Sequence, residues 1–229
     1  MDNVGYKIYQ DFKRPSKELV EKFRSIPVAN IGDCMNRTSS LASSLEPLND
    51  STLLGTAYTL TAVGGDNLLF YYAIDNAKPG DVIIVAGGGY TERALCGEIM
   101  ASYAKKRGIA GFVVDGAIRD KKQLSEMDFP VYAVSSTCNG PYKNGPGCVN
   151  IPVSIGNQVI YPGDIIVGDD TGIIAIRPED AEILYQKALK VIEKEADMMK
   201  SIEEKGTLDL SWLYRKLEKD NCQIILAQE

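Results

Sequence analysis

The chain has 229 residues and a mass of 25.0 kDa, enough for one generous domain with an appendage, and its 45% apolar content suffices for a buried core. Acidic side chains outnumber basic ones, 31 to 25, for a formal charge of −6, which disfavours a polyanion-binding surface, so no direct nucleic-acid partner is expected. There is no histidine and no clustered cysteine pair, which disfavours imidazole-based triads and the common zinc sites and leaves carboxylates, Lys, Arg, Tyr, backbone amides or bound water to do any chemistry.

The first residues, MDNVGYKIYQDFKRP, lack a basic-then-apolar signal region, and no apolar run approaches the roughly 18 residues of a membrane helix. A cytoplasmic location without a membrane partner is expected. Pro15 and Ser16 open a helix over 15–25 with a Leu19, Val20, Phe23 stripe. Residues 51–63, STLLGTAYTLTAV, read as β-rich with an interruption at Gly55. Helical spacing of Leu68, Tyr71, Tyr72 and Ile74 predicts a helix over 67–77, ended by Pro79-Gly80 before the strand DVIIVA. The glycine run GGGY then leads into TERALCGEIMASYAKKRG, helical and closed by three cations and Gly108.

GFVVD predicts another strand, followed by a tight turn at Asp115-Gly116 and then Arg119 beside Asp120. KKQLSEMD suits a short helix, FPVYAVS a strand, and the Gly-, Pro- and Asn-rich stretch to Asn150 a long loop. From 149 to 176, short strands punctuated by Gly156-Asn157, Pro162-Gly163-Asp164 and Asp169 to Gly172 predict β-hairpins on an α/β body. Pro178 opens one long helix with Ala181, Leu184, Ala188, Val191 and Ile192 on its apolar stripe, and LDLSWLYRKLEK adds a short one. The expected organisation is an α/β catalytic domain over 1–177 and a C-terminal helical arm over 178–229 that packs on a neighbouring subunit. The five cysteines, Cys34, Cys96, Cys138, Cys148 and Cys222, form no CxxC pair and are expected to be reduced and mostly packed.

Two stretches carry possible chemistry. In VAGGGYTERALCGEIM a dinucleotide fingerprint fails because Glu92 occupies its last position, and no GK[ST] follows. Gly97 is a poor helix-interior residue, so the regular helix can begin there, leaving the amides of Glu98, Ile99 and Met100 to favour a small carboxylate. A glycine-lined connection that binds nothing is the alternative. Arg119 offers a planar fork for a carboxylate or enolate, and Asp120 can hold a hard cation. The same two residues could be a solvated ion pair in a turn.

Glu98, 20 residues, then Arg119-Asp120, together with GDVIIVAGGG, CGEIMASYAKKRGIAGFVVDGAIRD, FPVYA and VSIGNQVIYPGDIIVGDDTGIIAI, resembles one known family. It joins class II pyruvate aldolases, 4-hydroxy-4-methyl-2-oxoglutarate aldolase among them, to the regulator of ribonuclease activity A. The resemblance covers residues 26–205 and implies a swivelling β/β/α domain in a homotrimer or homohexamer, with sites between subunits. It implies that Arg119 binds the pyruvyl part and its enolate, that Asp120 anchors Mg2+ or Mn2+, and that the amides of Ile99 and Met100, beside Gly97, grip the substrate. Glu98 stands where aspartate is usual in those aldolases. Glu195 on a neighbour's arm best matches the outer-shell glutamate of the metal, with Glu193 as the competitor.

The activity so implied is metal-dependent release of pyruvate from a small 2-oxo acid, by oxaloacetate decarboxylation, aldol cleavage or both. The chemistry is coherent: breaking a carbon–carbon bond next to a 2-oxo group leaves an enolate, which a metal and an arginine stabilise. Aldol cleavage also needs a base, which without histidine falls to water assisted by a carboxylate. The competing function is that of a non-catalytic regulator that binds and inhibits ribonuclease E.

Overall fold

The structure, a computed structural model, describes residues 4–225. A two-residue strand β1 (Lys7–Ile8) precedes helix α1 (Lys17–Glu21), which Ser16 caps by accepting the Leu19 amide at 3.2 Å. Helix α2 (Val28–Cys34) follows Pro27, a segment without an obvious helical stripe; its first amide donates to Asp169 Oδ2 at 2.9 Å. Then come β2 (Glu46–Pro47), β3 (Leu53–Thr61), α3 (Leu68–Asn76), β4 (Asp81–Cys96), α4 (Glu98–Lys106), β5 (Gly111–Ile118), α5 (Lys121–Ser125) and β6 (Val131–Ser136).

Strands β3 to β6 run parallel and side by side, with α3, α4 and α5 as crossovers. Their sequences are apolar at successive positions because both faces are covered. Ile83, Val85, Phe112 and Val114 pack with Phe70 and Ile74 of α3 and Met100 of α4; Val82, Ile84 and Val113 face the other way. That second face is covered by the hairpins expected from the turn residues. After β7 (Cys148–Val149), the strands β8 (Val153–Ile155) and β9 (Gln158–Ile160) form one antiparallel pair, and β10 (Ile165–Asp169) and β11 (Gly172–Ile176) another. Val153, Ile155, Ile160, Ile166 and Ile173 share a cluster with Val82 and Val113. Helix, sheet and hairpins thus make a β/β/α arrangement. Each fully buried Ile, Val or Phe in it contributes roughly 1.5–3 kcal/mol relative to exposure.

Three local expectations are corrected. Gly55 does not interrupt β3: the strand runs through it, and a Cβ there would lie 2.3 Å from Gly80 O, so the glycine serves close approach. Residues 91–96 are strand, not helix, because β4 continues for 16 residues. Its glycine run is a bulge, with Gly88 and Gly89 at φ 68° and 67°; Val85 pairs with Val114, and pairing resumes with Tyr90 opposite Gly116. Asp115-Gly116 is likewise strand, held between β4 and β6, and the chain turns at Asp120 instead.

By compactness the chain divides after Ala188. The first unit holds the sheet and the opening turns of α6 (Pro178–Lys205), where Ala181, Leu184 and Ala188 are buried. The second, from Leu189, holds the remainder of α6 and α7 (Ser211–Lys219), with Ser201 Oγ donating to Thr207 O at 3.0 Å across the connection. Among the described residues no helix is long and apolar enough to cross a membrane.

Candidate active site

Parallel strands bring their C-terminal ends to one edge, where α/β sheets bind ligands. At that edge the end of β5 meets the start of α4. Arg119 N donates to Cys96 O at 2.9 Å, which holds the residue after β5 against the end of β4. Asp120 then adopts the left-handed conformation, φ 56° and ψ 40°, a state that costs an ordinary residue roughly 1–2 kcal/mol and that Asp tolerates better than most. Its Oδ2 accepts the Glu98 amide at 3.1 Å, so the strained turn and the helix start are tied together.

The Arg119–Asp120 pair is loose. Nε and Oδ2 stand 3.6 Å apart, beyond hydrogen-bonding reach, and the side chains are 41% and 36% exposed. A surface pair of this kind contributes little to stability, and the guanidinium fork keeps its capacity for another acceptor.

Gly97 precedes α4 with an extended backbone that any residue could adopt; what its place demands is room. A Cβ would lie 2.4 Å from Asp120 Oδ2 and 2.8 Å from Arg119 Cγ. The first intrahelical bond runs from Ala101 N to Gly97 O at 3.1 Å. Helix geometry leaves the preceding amides without intrahelical acceptors; Asp120 takes that of Glu98, and those of Ile99 and Met100 remain at the positive end of the helix dipole.

Gly97, Ile99, Met100 and Arg119 line one cavity of about 170 Å³ together with Asn67 and Lys143. It is smaller than the roughly 300–1,000 Å³ of drug-sized sites and suits a small acid. A larger cavity, about 670 Å³, lies between α2 and the turns at 156–157 and 170–172, but its Arg37 is already joined to Asp33 at 2.7 Å.

Asn67 and Lys143 are residues that motif reading misses. Asn67 is 1% exposed; its Nδ2 donates to Leu95 O at 3.0 Å and contacts Met100 Sδ at 3.3 Å, which sets the amide's orientation. Its buried Oδ1 has no partner among the described residues. Lys143, exposed, comes from the long loop before β7. The position of Asn67 just before a helix reads in sequence as an ordinary cap, and one lysine in a polar loop carries no signal.

Other candidates are placed as follows. Glu98 is exposed and, like Asp120, is outside the cavity lining, although its amide is bound to Asp120. Glu195 lies on α6 in the second compact unit. Cys96 is buried at the cavity wall; burial first, and the Asp120 charge second, push its thiol up, so it stays protonated and is no nucleophile. Among the described residues no three His, Cys, Asp or Glu side chains gather to cage a metal. Asp120 is nonetheless a hard oxygen donor of the type Mg2+ accepts, since that ion keeps several waters and takes only one or two carboxylates.

Comparison with known proteins places this architecture. The RraA-like family model, described as Aldolase/RraA, matches residues 28–175. A Halalkalibacterium halodurans protein that carries the provisional name 4-hydroxy-4-methyl-2-oxoglutarate aldolase is 40% identical over 181 residues, 79% of this chain and 85% of its own. Among solved structures, Streptomyces coelicolor RraAS2, described as an unusual member of the RNase ES inhibitor RraA protein family, matches with a TM-score of 0.71 at 26% identity, over 81% of this chain and 100% of its own. The RNA-processing inhibitor RraA from Thermus thermophilis matches at 0.61 and 28% identity, over 66% and 92%. Sequence and fold agree, and the chain belongs to the RraA-like, Aldolase/RraA family.

Proposed function

We propose that the protein is a divalent-cation-dependent lyase that cleaves a small 2-oxo acid to pyruvate through an enolate. The observation that carries this reading is convergence: Arg119, whose fork is not hydrogen-bonded to Asp120, and Ile99 and Met100, in the first turn of α4 where amides lack intrahelical acceptors, line one small cavity.

The amides of Ile99 and Met100 hold the substrate's first carboxylate, and Arg119 donates to the 2-oxo oxygen as that atom gains charge, a contact that strengthens toward the transition state. Asp120 would hold Mg2+ or Mn2+, which when bound supplies further positive charge for the enolate. Lys143 pairs with a second carboxylate, and the unpartnered Asn67 Oδ1 accepts a hydrogen bond from a 4-hydroxyl.

In oxaloacetate the bond to the distal carboxylate breaks, CO2 leaves, and the electron pair becomes the pyruvate enolate, which takes a proton. In 4-hydroxy-4-methyl-2-oxoglutarate the C3–C4 bond breaks after the hydroxyl proton departs, giving the same enolate and a second pyruvate. Glu98 serves the latter as base through a water molecule. The provisional name of the 40% identical relative supports the aldol reaction. The arm over 178–229 is proposed to pack on a neighbouring subunit of a trimer or hexamer, where Glu195, or Glu193, would complete the metal's outer shell. The exposed Met199, Trp212 and Tyr214 support a covered arm.

The test is pyruvate release from oxaloacetate with Mg2+ and with EDTA, against Asp120→Ala and a metal-only blank. Metal-dependent turnover lost in the variant is expected; a wild-type rate equal to the blank would retire the reading. A second reading is favoured by the solved relatives described as an RNA-processing inhibitor and as an unusual member of the RNase ES inhibitor RraA protein family: a ring that binds ribonuclease E. Capture of purified ribonuclease E at micromolar protein supports it, and no capture dismisses it.

A further inference from the structure

Lys143 sits on a loop that could wander, yet the loop is fastened at every step around it. Tyr142 N donates to Gly65 O at 2.8 Å, and Asn67 N to Tyr142 O at 3.0 Å. Between those two contacts lies Asp66, 5% exposed, whose carboxylate accepts Leu68 N on Oδ1 at 3.0 Å and Asn144 N on Oδ2 at 2.5 Å. One buried carboxylate therefore ties the first turn of α3 to the residue after Lys143, 78 positions away. From the other side, Arg93 donates to Gly140 O at 2.9 Å and lies over the Tyr142 ring at 4.2 Å. Nothing in the chemistry at Arg119 requires this bracing; what it fixes is the distance between Lys143 and the pyruvyl end of the cavity.

We propose that Asp66 is a positioning residue that makes the site selective for 2-oxo acids bearing a second carboxylate, by holding Lys143 and Asn67 as one rigid rim. This rests on the reading of the cavity as a pyruvate-enolate site. Charge alone would let a lysine on a wandering loop follow any anion, whereas one whose backbone is held on both sides discriminates by reach, because less ordering remains to be done on binding. Arg93 supports the same rim. A merely structural aspartate would, on removal, impair every ligand together.

The experiment compares wild type, Asp66→Asn, Lys143→Ala and the double variant, reading kcat and KM for oxaloacetate and the inhibition constant of pyruvate, which lacks the second carboxylate. Lys143→Ala is expected to raise the oxaloacetate KM by about tenfold or more, and Asp66→Asn by about fivefold with kcat held within about twofold. Pyruvate inhibition should be unchanged in both, and Asp66→Asn should add nothing in the Lys143→Ala background, as residues acting through one contact do. If Lys143→Ala raises KM and a folded Asp66→Asn does not, or if Asp66→Asn weakens pyruvate equally, the positioning role is overturned while the pyruvate site stands. If Lys143→Ala changes nothing, the second-carboxylate rim falls and the Asp66 inference with it. A wild type without metal-dependent turnover overturns both. Should Asp66→Asn not fold, Arg93→Gln loosens the rim from its half-buried side, and the same KM rise or its absence decides.

Discussion

Two arginine–aspartate pairs divide the molecule into a pole that is finished and a pole that is open. At the N-terminal ends of the parallel strands, Arg14 Nε and Nη2 reach Asp81 Oδ1 and Oδ2 at 2.9 and 2.7 Å, with the side chains 19% and 2% exposed. Its Nη1 is taken by Asp11 and its plane lies over the Phe12 ring. At the C-terminal ends, Arg119 and Asp120 are neighbours in sequence, yet they miss hydrogen-bonding distance. The same two residue types are saturated and buried in one place and unsatisfied and accessible in the other. Saturation marks the first pair as structural; its absence in the second, beside helix-start amides without intrahelical acceptors, leaves the groups that the proposed site would use.

Gly97→Ala should give the largest effect on the open pole. The added methyl meets the two side chains to which the proposal gives the chemistry, so turnover should drop about a hundredfold, the loss that a misplacement near 1 Å causes, with the unfolding temperature nearly unchanged. Comparable losses of rate and stability would show that the glycine serves packing only. Arg14→Ala tests the finished pole. It leaves the buried Asp81 carboxylate with the Lys78 amide but no charged partner and should cost about 3–5 kcal/mol of stability, measurable by denaturant titration, while kcat and KM of the folded variant stay at wild-type values; a stability change below about 0.5 kcal/mol, typical of surface sites, would erase the contrast.

A subtler effect belongs to Asp164, also at the finished pole, in the turn before β10. Burial chiefly pushes its carboxyl up to about 6 from 3.8, against the opposing Tyr161 amide and Arg177. Arg177 Nη1 lies 3.1 Å from Oδ1, out of line for a hydrogen bond. Because the folded state binds this proton more tightly than the unfolded chain, the associated stability is full below about 3.8 and is lost as pH rises through about 6. The unfolding temperature of the wild type relative to Asp164→Asn should therefore decline between pH 4 and pH 7. Parallel curves would place the carboxyl in an ordinary environment.

The open pole was largely legible in the sequence, and the finished pole was not. Glu98, Arg119 and Asp120 flank a single helix–strand unit, so folding that unit brings Asp120 to the Glu98 amide. Arg14 and Asp81 are 67 positions apart, and no local pattern relates them. Asn67 and Lys143 escaped for the same reason: backbone contacts across a long loop, not spacing, bring them together. In the fold, the alternation of strand and helix and the hairpin turns could be read because period and turn chemistry are local. Residues 91–96 misled because their helical composition yields to continued pairing of β4 with β5, a tertiary preference that overrides propensity.

The most direct test of the open pair is the rate of Mg2+-dependent pyruvate release from oxaloacetate by Arg119→Ala. A fall of roughly two to three orders of magnitude is predicted, the loss expected when a donor to a developing oxyanion is removed, with the wild-type unfolding temperature retained. A rate within twofold of wild type would contradict the account, leaving Arg119 a solvated surface cation and the cavity without its central group.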